Sequence, residues 1–361
     1  VLLYLTTPES SYSGKKLDMF TVVKRFYRAY WVEGVDISNP EALAQVVASL
    51  GVSPSAVQEA SSNEGAKEDL KKRTQEGIDR GLFGVPAFFV TINGVLNDRL
   101  VYGQDQLELL ETLLGCKSHL TELIEKPRSK LHPVTFYFDF SSPYTFLAFL
   151  QIDKLFGSKN VKFVPVLLGA IFKGVGQANT PAANMAPARQ AWSSAELFRQ
   201  FADVGAQFTW ASRFPLRTVL ALRFAIAAGP DTQEGRKLIG ALFEACWVQD
   251  LDPNDPAVCV KVASDVGLDG KALLEKTNTT EIKDALQKNT AAALENGIFG
   301  LPTVRYPLMM RKIDLAILTN ERDFRVSQVA VHAPSGTEWY WGNDRLLWAF
   351  KAAQASPQAK L

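Results

Sequence analysis

The chain has 361 residues, of which 47% are hydrophobic and 21% charged, and its net charge is +1. This composition allows two domains of ordinary size and gives no electrostatic basis for binding nucleic acid or an anionic membrane surface, and no stretch approaches the roughly 18–20 uninterrupted apolar residues of a transmembrane helix. Three cysteines and three histidines lie scattered without metal-ligand spacing, which argues against a zinc site, and so few cysteines favour a reducing compartment.

A long internal repeat is the main feature of the chain. Residues 31–86 align without a gap with residues 247–302, at a constant offset of 216, and sixteen of the 56 positions are identical. Such a repeat is longer than the roughly 20–50 residues of a solenoid unit, so it predicts two tandem copies of one domain. The chain begins at Val1 rather than Met, so we expect either that its start is removed by processing or that sequence before Val1 is missing.

The first copy, residues 1–115, matches only the later part of the second. Its predicted helices and strands, in chain order, are helices over 17–30, 40–50 and 66–80, strands over 87–92 and 99–102, and a helix over 105–114. A strand-helix-strand opening is absent apart from the short piece 1–6. We interpret this copy as degenerate, or as the remainder of a domain whose beginning is missing. Residues 116–132 are predicted to be a linker.

The second copy, residues 133–361, is predicted to be complete. Aromatic and β-branched residues indicate a buried strand over 134–140, and a helix over 145–155 and a strand over 161–167 follow. Predicted helices then cover 194–203, 216–228, 234–249, 256–266 and 280–296, before strands over 303–306 and 327–332 and a last helix over 344–354. This order predicts an α/β fold: a thioredoxin-like sheet with an all-helical insertion, present in two tandem copies, the first without its β-α-β opening.

The hairpin near the end of the second copy is longer than its counterpart in the first. The surplus, about residues 307–328, is rich in charged side chains. Long loops of this kind contact partners or are disordered, and both interpretations stay open. We therefore keep a protein partner at this insertion as one expectation.

Two positions at the ends of predicted strands are candidates for chemistry. Ser142 precedes Pro143 at a strand-to-helix turn, where its hydroxyl caps the helix and the helix N-terminus favours an anion such as a thiolate. A serine at this place is also an ordinary N-cap. Pro302 follows Leu301 at a strand entrance, which in thioredoxin-like folds is the cis-proline position that leaves the backbone of the preceding residue free to pair with an extended peptide. The alternative is an edge-strand proline in a tight turn.

A third candidate is the cap of the last predicted helix. Asn343 and Asp344 can hold an amino-acid-like head group, with Asp344 taking the ammonium and the helix N–H groups taking the carboxylate. Arg345 is the adjacent charge, with a surface ion pair as its alternative role. Five aromatic residues of the helical block are candidates for the core or, in one or two cases, for a hydrophobic acceptor pocket: Trp192, Phe208, Trp210, Phe214 and Trp247.

Five motifs of the second copy together resemble the family of kappa-class glutathione transferases and 2-hydroxychromene-2-carboxylate isomerases, the DsbA-like branch without a dithiol. They are Phe-Tyr-Phe-Asp-Phe-Ser-Ser-Pro-Tyr at 136–144, Leu-Leu-Gly-Ala-Ile-Phe-Lys at 167–173, Ser-Arg-Phe-Pro at 212–215, Gly-Ile-Phe-Gly-Leu-Pro at 297–302 and Trp-Gly-Asn-Asp-Arg at 341–345. The resemblance implies glutathione as cofactor. It also implies that Ser142 donates a hydrogen bond to the glutathione sulfur and that Leu301 pairs with the cysteinyl backbone.

The resemblance further implies that Asn343 and Asp344 bind the γ-glutamyl group. The family's Gly-Asn-x-x-Pro loop departs here, reading Gly-Gln-Ala-Asn-Thr-Pro over 176–181. Asn179 is therefore a candidate for contacting the tripeptide, with Gln177 as its alternative.

The leading functional hypothesis is a glutathione-dependent transferase or isomerase acting on a small hydrophobic electrophile. The alternative is a catalytically vestigial member of the family that serves as a structural or interaction subunit of a larger mitochondrial assembly. A dithiol oxidoreductase is disfavoured because no Cys-x-x-Cys occupies the turn. By analogy with the family we expect a pseudo-dimer within the chain or a homodimer, and a mitochondrial location, with peroxisomal or cytoplasmic ones as alternatives.

Overall fold

The computed structural model of the chain describes residues 1–6, 17–92, 96–116, 133–178, 184–307 and 337–341. It divides into two compact units, Val1–Tyr102 and Gly103–Leu361. The first unit therefore ends earlier than the predicted first domain, residues 1–115. Over the described residues, no helix combines the length and apolarity that crossing a membrane requires.

The described residues of unit 1 form five helices followed by a pair of antiparallel strands. Its helices are α1 (Leu2–Thr6), α2 (Met19–Trp31), α3 (Pro40–Ala48), α4 (Ser55–Ser62) and α5 (Glu64–Asp79), and its antiparallel strands are β1 (Ala87–Ile92) and β2 (Leu96–Tyr102). Polar side chains begin the helices: Asp18, Asn39 and Asn63 each accept hydrogen bonds from N–H groups in the first turn that follows. Apolar side chains of α1 to α4 form a small buried core.

The piece 1–6 is a helix, and the expectation that it is a remnant of the opening strand is wrong. Tyr4 and Leu5 are buried in the core of unit 1. At the repeat offset of 216, Leu2–Thr6 falls on residues 218–222, which begin a helix of the second unit. The piece therefore matches the helical block, and its packing overrides the strand preference of its apolar residues.

Unit 2 contains a four-stranded sheet and nine described helices. Before the sheet come a 3₁₀ turn (Gln104–Gln106) and α6 (Leu107–Leu113). Then follow β3 (Val134–Phe138), α7 (Pro143–Phe156), a 3₁₀ turn (Ser158–Asn160), β4 (Val161–Pro165), α8 (Leu168–Gly174), α9 (Pro187–Asp203), α10 (Val219–Ala228), α11 (Gln233–Trp247), α12 (Pro256–Asp265), α13 (Gly270–Thr277), α14 (Thr280–Glu295), β5 (Thr303–Pro307) and β6 (Thr337–Trp341).

The sheet has the order β4-β3-β5-β6. Strands β3 and β4 are parallel, joined through α7, whereas β5 runs antiparallel to both β3 and β6. The predicted β-α-β opening, helical insertion and closing hairpin are thus present. The second hairpin strand is Thr337–Trp341; the predicted strand 327–332, the last helix 344–354 and the predicted insertion beyond Pro307 lie outside the described residues.

Helices cover both faces of the sheet. Side chains of successive strand residues point to opposite faces, so β3 contributes to two buried clusters. On one face Phe136 and Phe138 join a large buried cluster with residues of α7, α10 and α11. On the other face Tyr137 joins a smaller cluster with residues of α8 and α14. A parallel pair buried on both faces explains the near-continuous apolar run in β3.

The two units share element positions at the repeat offset. Helix Glu64–Asp79 maps onto Thr280–Glu295 residue for residue, and β1 and β5 begin at the equivalent Ala87 and Thr303. The Val85–Pro86 and Leu301–Pro302 peptide bonds are both cis. From these matching positions we propose that the two units arose by tandem duplication of one domain.

Apolar residues at equivalent positions differ in exposure between the units. Leu70 is 59% exposed, whereas its counterpart Leu286 is 5% exposed; Val85 is 78% exposed, whereas its counterpart Leu301 is 6% exposed. Among its described residues, unit 1 has no counterpart of the β3-α7-β4-α8 segment. The face of α14 that carries Leu286 is therefore part of a core in unit 2, whereas the equivalent face of α5, which carries Leu70, is part of the surface in unit 1.

Candidate active site

The turn between β3 and α7 places Ser142 at a helix N-terminus, as its sequence predicts. Ser142 has an extended backbone, its side chain is almost fully buried, and its Oγ accepts a hydrogen bond from the Thr145 N–H at 3.3 Å. Pro143 takes the first helical position, where a missing N–H has no cost. A hydroxyl has one donor and two acceptor sites, so capping α7 leaves the Ser142 O–H able to donate.

The Leu301–Pro302 segment lies at the same end of the sheet as this turn. Thr303, the first residue of β5, pairs with Tyr137 near the end of β3. Both Leu301 and Pro302 are buried, and the peptide bond between them is cis. The register of the sheet thus brings together two of the predicted site segments, 142–143 and 301–302.

The other predicted site residues are not placed by the structure. Asn179, Asn343, Asp344 and Arg345 lie outside the described residues. The backbone of Trp341, the last described residue, pairs with Thr303, so β6 ends at the same end of the sheet just before them. Gln177, the alternative to Asn179, is exposed.

Asp139 is the first residue of the turn after β3, and its sequence pattern predicted no role for it. Its carboxylate is fully buried and accepts hydrogen bonds from the Ser141 N–H, the Leu168 N–H and the Thr218 hydroxyl. Burial raises the pKa of Asp139, and the hydrogen bonds from these donors oppose that rise. An acidic residue inside the apolar run 134–140 was the available signal, because a buried carboxylate requires partners.

An aromatic group connects the helical block to the same turn. The fully buried Trp247 donates from Nε1 to the Phe140 carbonyl at 2.8 Å, and its ring lies against Phe208 and Phe214. Trp210 extends this group to the surface and is 40% exposed. Of the five candidate aromatic residues, Trp247 is therefore core, Trp210 is accessible, and the others, Trp192, Phe208 and Phe214, are half-buried.

We expect Trp247→Phe to lower the free energy of unfolding of unit 2 by about 1–3 kcal/mol. The substitution leaves the Phe140 carbonyl without its donor in a buried setting. Chemical denaturation followed by circular dichroism measures the loss. The matched control, Trp210→Phe, should stay within about 0.5 kcal/mol because Trp210 is partly exposed. Equal losses for the two variants would contradict the prediction.

Two of the three cysteine thiols of unit 2 lie away from solvent. Cys246 and Cys259 are fully buried, whereas Cys116 is exposed. Burial raises the pKa of Cys246 well above its ordinary value and raises the pKa of Cys259 to about 12. Both buried thiols are therefore protonated at neutral pH, and the turn at Ser142 carries no cysteine of its own.

Comparison with known proteins decides the family. A DSBA-like thioredoxin domain matches residues 11–115 and 133–306. The chain belongs to the DsbA-like thioredoxin family. Its mixed sheet with helices inserted between β4 and β5 is the fold predicted from the sequence.

Two curated relatives of this DsbA-like protein are enzymes by name. A 2-hydroxychromene-2-carboxylate isomerase from Sphingobium xenophagum is 25% identical over 181 residues, which cover 47% of this chain and 86% of the relative. Glutathione S-transferase kappa 1 from Caenorhabditis elegans is 25% identical over 190 residues, which cover 48% of this chain and 80% of the relative. A solved structure of 2-hydroxychromene-2-carboxylate isomerase is 19% identical, with a TM-score of 0.47, and the match covers 61% of this chain and 93% of that one.

Proposed function

We propose that this protein is a glutathione-dependent transferase or isomerase acting on a small hydrophobic electrophile. Relatives named isomerase and glutathione S-transferase support an enzyme of this family. The observation that carries the proposal is the Ser142 hydroxyl, which caps α7 at the end of the sheet where Leu301 and Pro302 lie. A hydroxyl donor at a helix N-terminus stabilises a thiolate.

The residues of the turn fit a thiol ligand. Ser142 has a donor to spare, and the Thr145 hydroxyl, in the first turn of α7, is buried without a hydrogen-bond partner among the described residues. Ser142 would contact the sulfur and the Leu301 backbone would contact the cysteinyl group. Glutathione bound there supplies a thiol nucleophile.

We propose that the more distant parts of the tripeptide meet residues outside the described ranges. Asn343 and Asp344 would hold the γ-glutamyl group, with Arg345 beside them. Asn179, or Gln177 in its place, would contact the peptide from the loop after α8. This arrangement follows from the family resemblance and from the position of Trp341 beside Thr303.

The chemical task of this chain is to lower the pKa of a thiol that is mostly protonated at neutral pH. Ser142 donates to the developing negative charge, and the N–H groups at the start of α7 add partial positive charge. The low exposure of Ser142 strengthens both interactions because little water competes with them. The accessible aromatic face at Trp210 favours a hydrophobic second substrate.

A second candidate is a structural or interaction subunit. The exposed apolar side chains of Leu70, Ile78 and Val85 in unit 1 favour it, because such residues often mark contact surfaces. The same glutathione titration separates the two candidates. An interaction subunit with a vestigial pocket does not bind the tripeptide.

We expect the full chain to bind glutathione in a calorimetric titration, and Asp344→Ala to weaken binding about tenfold or more. Loss of a hydrogen bond to a charged group costs about 1.5–3 kcal/mol. The charge-matched control is Asp284→Ala, which removes an exposed carboxylate from α14; this variant should bind glutathione like the wild type. A folded wild type that shows no heat of binding would remove the enzyme proposal.

A further inference from the structure

The carboxylate of Asp139 joins three separate segments of unit 2. Its Oδ1 accepts from the Ser141 N–H at 3.0 Å and from the Thr218 Oγ1 at 2.6 Å, and its Oδ2 accepts from the Leu168 N–H at 2.8 Å. The donors belong to the turn before α7, to the start of α8 and to the start of α10. Both carboxylate oxygens are therefore required as acceptors.

Two of these donors lie at the starts of helices, where a capping side chain close in sequence is the usual partner, yet both bond to Asp139. The cap of α8 is Leu167, which has no side-chain oxygen, so Asp139 satisfies the N–H of Leu168 from a distant strand end. Thr218 occupies the cap of α10, yet its side chain makes no capping bond and donates to Asp139 instead. The network is thus organised around the carboxylate.

Asp139 also controls the backbone beside Ser142. Its carboxylate binds the N–H of Ser141, and its carbonyl oxygen accepts from the Ser142 N–H at 3.4 Å. The two residues that lead into α7 are therefore both held by Asp139. The direction of the Ser142 hydroxyl depends on this turn.

We propose that Asp139 is a positioning residue that holds the Ser142 hydroxyl where it activates the thiol, an inference that rests on the proposed function. Asp139 need not touch the bound thiol itself. Thr218 is its main side-chain partner, and Cys246 is a titratable neighbour whose pKa the Asp139 charge helps to raise.

The sign of the effect separates positioning from simple electrostatics. A negative charge near the turn disfavours a thiolate, so its removal alone would increase the thiolate fraction. Loss of the hydrogen bonds moves the turn and weakens the Ser142 donor, which decreases that fraction. In Asp139→Asn, an amide nitrogen replaces one acceptor oxygen and opposes the N–H or O–H donor on that side.

The test is the thiolate absorbance of glutathione bound to the full chain, recorded across pH together with the calorimetric Kd. We expect Asp139→Asn to lower the bound thiolate fraction at pH 7 about threefold to tenfold, the equivalent of one hydrogen bond, with the Kd changed less than about twofold. Thr218→Val should lower it by a smaller factor. Thr218→Ser, which retains the hydroxyl, should keep the thiolate fraction of the wild type.

A folded Asp139→Asn variant with an unchanged or increased thiolate fraction overturns the inference. Should that variant fail to fold, equal thiolate fractions in Thr218→Val and Thr218→Ser overturn it instead. A wild type that binds no glutathione overturns the proposed function and this inference with it. A wild type that forms the thiolate, beside variants that form it equally well, overturns the inference alone.

Discussion

Ser142→Ala should reduce the thiolate fraction of bound glutathione and slow its reaction with an electrophile about 100-fold, the usual effect of removing a single well-placed donor. The Ser142 Oγ caps α7, and its O–H is the group that the proposed function assigns to the sulfur. Glutathione affinity should change much less, because the rest of the tripeptide contacts other residues. Thiolate absorbance and the initial rate of conjugation measure the effect.

The loss of a helix cap is separated from the loss of the donor by a second variant. Thr279 caps α14, and its Oγ1 accepts from the Ile282 N–H at 3.4 Å, close to the 3.3 Å of the Ser142 cap. Both Ser142→Ala and Thr279→Ala should cost about 1 kcal/mol of stability, but only the first should lose the thiolate. Ser142→Thr keeps a hydroxyl and should retain part of the rate. A full rate in Ser142→Ala would show that another group activates the thiol.

Leu286→Ala should lower the free energy of unfolding of unit 2 by about 2–5 kcal/mol, whereas the equivalent Leu70→Ala in unit 1 should change stability by no more than about 0.5 kcal/mol. Leu286 belongs to the large buried cluster of unit 2 and is 5% exposed; Leu70 is 59% exposed. The same deletion therefore creates a cavity at one position and only trims the surface at the other.

This pair is measured by urea denaturation of the full chain, with circular dichroism and tryptophan fluorescence as two probes. Six of the seven tryptophans belong to unit 2, so fluorescence reports mainly on that unit. Leu286→Met conserves volume and should lose less than about 1.5 kcal/mol. Equal losses at Leu70 and Leu286 would mean that the face of α5 is covered in solution.

Much of unit 2 could be predicted because its signals are local. Ser142-Pro143 after an aromatic strand indicates the start of α7, and the observed helix does begin at Pro143. Four short helices were missed, among them the five-residue α1. Helix α8 has only seven residues, and α4 and α13 have eight each, so all of them show too few turns for helical periodicity to stand out.

Other features depend on contacts that a linear pattern does not contain. The Asp139–Thr218 hydrogen bond joins residues 79 positions apart, so neither residue identifies the other before the chain folds. The last sheet strand was expected at 327–332, but β5 pairs with Thr337–Trp341, which ends in three consecutive aromatic residues of the kind that favour a strand. The helix cap at Ser142 and the cis bond at Leu301–Pro302 could be predicted because turn chemistry and proline each leave a local signature, while their roles in a site stay a prediction.

An enzyme that handles thiol-reactive compounds is itself a target for them. Reaction with an electrophile requires a thiolate that the compound can reach, and the two buried cysteines of unit 2 offer neither the charge nor the access. Under the proposed function, alkylation of a cysteine by the electrophilic substrate would therefore be confined to Cys116, the exposed cysteine. The fold would thus resist self-inactivation over repeated turnovers.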